Sequence, residues 1–219
     1  MPGIDHLDTL QLVALAAALG WASGIRLYAV LFVVGGLGYL HFVPLPHGLL
    51  LLAHPWVLAA SGFMCAVEFF ADKVPGVDTA WDVVHTFIRI PAGAALAAMV
   101  FGDAPGAATL AAAIVGGSLA AGSHLAKTGS RAVINTSPEP ISNWAASFGE
   151  ELAVGTVLWL AIANPIAALV VLALLVLLMI WLIPKVWRFL VRLFRRLAGM
   201  FDGAGRAGRA LPPERSADV

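Results

Sequence analysis

The chain has 219 residues, 60% of them hydrophobic and 12% charged, with thirteen basic residues balanced by thirteen acidic ones. A mean hydropathy of +0.90 excludes an ordinary soluble domain, in which roughly a quarter of residues are charged and the apolar ones fit one small core. The single cysteine, Cys65, excludes an internal disulfide and a cysteine-based metal cluster. The solvent for most of this surface is a bilayer.

Met1 to Asp8 carries Asp5 and Asp8 but no Lys or Arg, unlike the basic start of a secretory signal, and the apolar run behind it is longer than a signal needs. It reads as a retained helix. A spanning helix takes about 20 mainly apolar residues, and six such stretches follow in order. The first covers Thr9 to Leu40, interrupted only by Arg26. After a Pro/His/Gly-rich connection, Gly48 to Ala53 is too short to cross, and the second span runs from Pro55 to Asp72. The third covers Thr79 to Phe101. The fourth covers Ala107 to Leu125 and leads into a polar stretch, 127–143, that reads either as a loop or as a re-entrant segment. Asn164-Pro165 splits the uncharged run from Leu152 to Ile183, giving a fifth span from Asn143 to Ala163 and a sixth from Pro165 to Ile183.

The expected architecture is therefore all-α and polytopic. A membrane domain over 1–184 precedes a basic amphipathic interfacial helix at 185–200 and a disordered tail at 201–219. With six spans, Lys73, Lys127, Arg131 and the basic tail fall on one side and no Lys or Arg on the other. The positive-inside rule then makes both termini cytoplasmic, in a bacterial inner membrane. Arg188, Arg192, Arg195 and Arg196 are placed to meet the anionic inner leaflet.

Two faint echoes raise a 3+3 inverted repeat, with halves 9–103 and 107–184. Trp56-Val57-Leu58-Ala59-Ala60-Ser61 is echoed by Asn143-Trp144-Ala145-Ala146-Ser147, and Ala22-Ser23-Gly24 by Ala121-Gly122-Ser123. The competing reading is that Ala/Gly/Ser-rich helices resemble one another by composition.

Ionisable groups inside a span cost several kcal/mol unless paired or hydrated, so they are candidates for a functional lining. Glu68 and Asp72 share a face of the second span. Asp78, Asp82, His85 and Arg89 form a stripe on the third, and His124, Lys127 and Arg131 another at the end of the fourth. Glu150 and Glu151 sit in the fifth. The candidate lining is Arg26, Glu68, Asp72, Asp82, His85, Arg89, Lys127, Arg131 and Glu150. Its bland alternative is a set of buried ion pairs that fix helix register.

The segments Ala22-Ser23-Gly24-Ile25-Arg26-Leu27-Tyr28, Glu68-Phe69-Phe70-Ala71-Asp72-Lys73-Val74-Pro75-Gly76-Val77-Asp78, Trp81-Asp82-Val83-Val84-His85-Thr86-Phe87-Ile88-Arg89 and Lys127-Thr128-Gly129-Ser130-Arg131 together resemble the DUF4126 family of bacterial membrane proteins. The resemblance covers nearly all of the chain up to the basic tail. It implies that these charged segments are a shared signature, and it carries over no catalytic or binding role.

The leading expectation is a small transporter or channel for a small charged solute, coupled to protons, with no cofactor, metal or nucleic acid. The cations would hold an anionic group, or the carboxylates a cationic one. The competing readings are a membrane enzyme acting on a lipid phosphate head group, with His85 or His124 as acid and base, and a structural subunit of a membrane complex. A homo-oligomer is compatible with all three.

Overall fold

The computed structural model describes residues 7–74, 76–102, 104–136 and 140–207, without the side chains of 140, 193, 194 and 196–207. Among these the only regular elements are helices: α1 (Thr9–Tyr39), a 3₁₀ helix (His47–Ala53), α2 (Pro55–Ala71), α3 (Val77–Val100), α4 (Gly106–Ile134), α5 (Pro140–Ala163) and α6 (Pro165–Ala207). Five helices are long and apolar enough to cross a membrane. The 3₁₀ helix and α2, bent by 68°, make a sixth if counted as one span. The protein is a polytopic helical membrane protein.

Local chemistry sets the helix starts. Asp8 and Gln11 form a reciprocal capping box on α1, Gln11 N donating to Asp8 Oδ1 at 2.7 Å and Asp8 N to Gln11 Oε1 at 2.9 Å. Pro55 opens α2, with His54 accepting from the Trp56 N–H.

α1 is not one rod. Arg26 has non-helical dihedrals (φ −140°, ψ 71°), and the segments on either side of it run in opposite senses. The first, 9–25, runs alongside α4 in the same direction: Gly20 meets Gly116, Gly24 meets Ala120, and Lys127 Nζ donates to the Ile25 carbonyl. Its beginning shares a cavity wall with Phe101 and Ala108 through Val13 and Ala16. The second, 27–39, pairs with α2 in reverse, Phe32 touching Gly62 and Gly35 touching Leu58 and Leu52. Gly48, a few residues before Leu52, packs on Met99 near the end of α3. Both ends of α1 thus lie towards the C-terminal end of α3, and Arg26 is the turning point at the other end.

This changes the layout expected from sequence. An unbroken first span puts both termini at one end of the bundle. The turn at Arg26 instead puts Thr9 at the end opposite to the one where α6 emerges. It also reassigns one echo: Ala22–Gly24 and Ala121–Ser123 pack against each other in segments that run the same way, so that pair marks a contact and not an inverted relationship.

Three helix boundaries differ from expectation as well. The stretch 127–143 is helical as far as Ile134, because α4 continues to that point with its cations neutralised by neighbouring carboxylates; residues 137–139 of the expected loop lie outside those described. α5 starts at Pro140, before Asn143. α6 runs unbroken through Pro184 to Ala207, so no separate interfacial helix begins at 185, and 201–207 are helical. Pro184 removes one backbone donor, whereas a break would uncover several backbone groups near the membrane. Arg188 Nε donates to the Pro184 carbonyl at 3.1 Å and Lys185 Nζ lies 3.2 Å from the centroid of the Trp181 ring, bridging the site. Arg188, Arg192 and Arg195 are exposed on this extension; the side chain of Arg196 and residues 208–219 of the expected tail lie outside those described.

Small residues let the first segment of α1, α3 and α4 approach closely. A Cβ on Gly20 would stand 2.6 Å from the Gly116 Cα, and Gly93 and Gly24 meet Ser23, Ala120 and Ser123 without room for a side chain. Large apolar side chains face outwards instead, as Trp56, Phe87 and Ile141 do. That is the arrangement of a lipid-solvated bundle.

Candidate functional site

The close approach of α1, α3 and α4 leads directly into a buried cluster of charge. Eight ionic side chains from five helices and the turn after α2 meet there, four cations and four anions. Arg89 Nη2 donates to Glu68 Oε1 at 2.6 Å and Nη1 to Asp82 Oδ1 at 2.7 Å. Lys127 Nζ donates to Asp72 Oδ2 at 2.9 Å and lies 3.6 Å from Asp82 and 3.5 Å from Glu150. Arg26 is 2.8 Å from Asp72 and 3.4 Å from Glu150. Arg131 Nε donates to Glu150 Oε1 at 2.9 Å, and its other nitrogens donate to the Asp72 carbonyl, to Asn143 Oδ1 and to Ser147 Oγ.

Seven of these eight side chains are at most 2% exposed, the exception being Glu150. Burial on this scale is tolerable only because each charge faces an opposite one. The two parts of the cluster differ in kind. Arg89 gives one terminal nitrogen to Asp82 of its own helix and the other to Glu68, a tight charge-assisted staple between α3 and α2. Asp72, Lys127, Arg26 and Glu150 share partners, each at near-contact distance from two or more opposite charges.

The sequence-derived lining is brought together with one exception. His85 stays outside the cluster. Its Nδ1–H donates to the Trp81 carbonyl at 2.8 Å, and its Nε2 accepts from the Tyr28 hydroxyl at 3.2 Å. It stacks on Trp81, with 4.1 Å between ring centroids. It is a satisfied packing histidine.

His124, which shares a helical stripe with Lys127 and Arg131, belongs to the cluster in its place. Arginine only donates, so the contact from Arg89 Nη1 at 3.3 Å makes His124 Nδ1 an acceptor and puts the proton on Nε2. That proton goes to Thr86 Oγ1 at 2.7 Å, whose hydroxyl donates in turn to the Asp82 carbonyl. Asn143 and Ser147 were also not in the lining expected from sequence. Both bind Arg131, and Asn143 continues through Asn135 to Asp78 by bonds of 2.9 Å. No ionic signal distinguishes such amides and hydroxyls in a sequence, and Ser147 is visible only as part of an echo.

Lys73, in the turn after α2, lies 2.9 Å from the Phe69 ring centroid and 3.9 Å from Glu151. Burial pushes its ammonium below the ordinary lysine range, against the opposing pull of Glu151.

Not every polar atom is satisfied. Within the cluster, Glu68 Oε2, Asp72 Oδ1, Asp82 Oδ2 and Glu150 Oε2 lack a hydrogen-bond donor, while Arg26 Nε and Arg89 Nε lack an acceptor. Acceptors are in excess. No group of three or more His, Cys, Asp or Glu among the described residues could hold a metal ion. A crevice of about 260 Å³ between α1, α4, α5 and α6 reaches the cluster at Lys127 and Glu150, with otherwise mainly apolar walls that include Trp21 and Met179.

No curated protein and no solved structure matches the chain. A family model described as "Domain of unknown function (DUF4126)" matches residues 13–185. That match contains every member of the charge cluster and all six α-helices in whole or in part, and the chain belongs to the DUF4126 family.

Proposed function

We propose that the protein is a small transporter or channel for a small charged solute, coupled to protons, in a bacterial cytoplasmic membrane. The observation that carries this reading is the sharing of partners around Lys127. A purely structural ion pair is best served by one short, private contact, as Glu68 has with Arg89. Lys127 instead stands within 2.9–3.6 Å of three carboxylates, and Arg26 within 2.8–3.4 Å of three, Glu151 included. Such charges exchange partners without any passing through an unpaired state. Helices linked this way can therefore shift relative to one another at low electrostatic cost, which a two-state transporter requires. Beside the break in α1, the Ile25 carbonyl accepts from Lys127, as backbone carbonyls near discontinuous helices do in transporter sites.

The competing readings have less support. His85 and His124 are buried with both ring nitrogens engaged, so neither is free to act as the acid or base on a lipid phosphate. The buried cations are matched by carboxylates of the same chain, which removes the reason for a partner's helix to neutralise them. An inverted repeat would be carried by α2 and α3 against α5 and α6, which run in opposite directions.

The deciding experiment uses purified protein in liposomes loaded with a pH-sensitive dye. Solute-dependent proton flux is expected from the wild type and is expected to vanish in Asp72→Asn. If Asp72→Asn and Glu150→Gln both fold and match the wild type for every solute that moves, the assignment of the shared charges is wrong.

The turn at Arg26 adds an orientation to this reading. Lys73, Lys127, Arg131 and the basic end of α6 lie together, so that end is cytoplasmic by the positive-inside rule and Thr9 is outside. In a Cys65→Ser background, a membrane-impermeant thiol reagent is expected to label Leu7→Cys in intact cells. Arg192→Cys is expected to react only after permeabilisation. Labelling of both from the same side would show that α1 crosses once.

A further inference from the structure

Two residues on the wall of the crevice between α1, α4, α5 and α6 carry a polar atom with no hydrogen-bond partner. The Trp21 indole N–H has no acceptor, although Trp21 is only 3% exposed. Glu150 Oε2 has no donor; Arg26 and Lys127 stand 3.4 and 3.5 Å from it as counter-charges only. The other polar groups of the wall are served. Lys127 donates to Asp72 and to the Ile25 carbonyl, Ser123 donates to the Trp21 carbonyl, and the Ser130 hydroxyl can play either part. A buried donor left bare costs free energy. What the crevice lacks is one acceptor and one donor, and no group of the chain has to leave its partners to make room for them.

We propose that the crevice binds a short-chain monocarboxylic acid in its undissociated form, that is, a carboxylate together with one proton. Its carbonyl oxygen accepts from Trp21 Nε1, its O–H donates to Glu150 Oε2, and its alkyl chain lies against Leu175, Leu178, Met179 and Leu182 of α6. This rests on the transport reading above and gives the charged solute and its proton a common place. Charge selects the form. The cluster holds four cations and four anions, and a neutral molecule leaves that balance as it is. A free carboxylate brings no donor and would face Glu150 with like charge, and an ammonium brings no acceptor for Trp21. An acid O–H against a carboxylate makes a short, charge-assisted bond. Arg26, Lys127 and Arg131 around Glu150 hold the negative charge there. Glu151, next along α5, faces Arg26 and Lys73, and α6 presents only apolar side chains to the crevice. At about 260 Å³ the space suits a chain of a few carbons and not a drug-sized ligand.

The probe is n-butyrate, added to the purified protein in detergent. The controls are butane-1-sulfonate, which stays ionised, and 1-butanol, which is neutral throughout. Calorimetry in two buffers of different ionisation enthalpy is expected to show uptake of about one proton per butyrate bound. With an ordinary carboxyl pKa of about 4.3, the apparent affinity should then fall about tenfold between about pH 6 and pH 7. Neither control is expected to bind as well as the acid. Trp21→Phe keeps an aromatic ring and removes the N–H. Because that N–H has no partner in the free protein, the variant's unfolding midpoint is expected to match or exceed the wild type, while its affinity for butyrate falls at least about fivefold.

Butyrate binding without proton uptake, or equal binding of the sulfonate or of 1-butanol, would overturn the acid as the ligand. Unchanged affinity in Trp21→Phe would overturn the placement in the crevice. Proton-coupled flux of another solute with no binding of butyrate would remove the acid and leave the transport reading standing. Proton-linked butyrate binding, lost in Trp21→Phe, with no solute-driven proton flux would leave the site and remove the transport.

Discussion

Arg89→Leu is expected to destabilise the protein by about 3–5 kcal/mol, because it strands two buried carboxylates. Glu68 and Asp82 are both fully buried and take bonds of 2.6 and 2.7 Å from the two terminal nitrogens of Arg89. Neither has water to turn to. Lys127 stands 3.6 Å from Asp82 and can relieve that one in part, but Glu68 has no second cation among its ion pairs. The loss would be read as a lower midpoint when dodecylmaltoside micelles are titrated with SDS. If the cost comes from stranded charge and not from lost volume, adding Glu68→Gln and Asp82→Asn to an Arg89→Met background should recover much of it. A triple variant no better than Arg89→Met alone would mean that packing around the guanidinium is what holds the helices.

The second large effect is steric. Gly20→Val is expected to cost several kcal/mol, at or above the upper end of the about 1–3 kcal/mol typical of overpacking. The new Cβ would stand 2.6 Å from the Gly116 Cα. The obstacle is backbone, which cannot swing aside as a side-chain tip can. The seam also carries Lys127 to the Ile25 carbonyl, so forcing α1 from α4 should weaken the charge cluster as well. Gly155 in α5 has nothing within 4 Å of its ideal Cβ, and Gly155→Ala should be neutral or stabilising by up to about 1 kcal/mol, as for a helix interior. Comparing the two midpoints separates close packing from backbone entropy; equal values would show that α1 and α4 are further apart in the bilayer.

What could be read from the sequence was the chemistry that repeats at helical spacing. The apolar runs announce helices, and the ionic residues inside them announce that something must neutralise them, so Glu68, Asp72, Asp82, Arg89, Lys127, Arg131 and Glu150 could be named before their partners were known. Which of them pair is a three-dimensional property: Arg26 and Asp72, or Arg131 and Glu150, are joined only by how α1, α4 and α5 pack. The turn at Arg26 escaped for a physical reason. Leu15 to Leu19 and Val30 to Val34 are equally apolar, no proline intervenes, and the flanking glycines at 20 and 24 serve packing. The hydropathy of two short antiparallel rods is then the same as that of one long rod. His85 falls on the same helical stripe as Asp82 and Arg89, but Tyr28 and Trp81 occupy both its nitrogens and keep it out of the cluster. Pro184 misled, since proline is a poor helix residue in water but a tolerated one where exposed backbone is the greater cost.

The position of Arg26 also bears on how the chain is made. When the first apolar segment leaves the ribosome, none of the carboxylates that later surround this guanidinium has emerged: Asp72 lies in the turn after α2, and Glu150 and Glu151 lie in α5. An arginine at the centre of a single long span would have to wait in hydrocarbon until α2 and Asp72 follow. At a hairpin bend it waits at an edge of the bilayer, where its long side chain reaches lipid head groups and water. Its ionic partners then arrive one helix at a time, and the bend closes last, when α5 has been delivered.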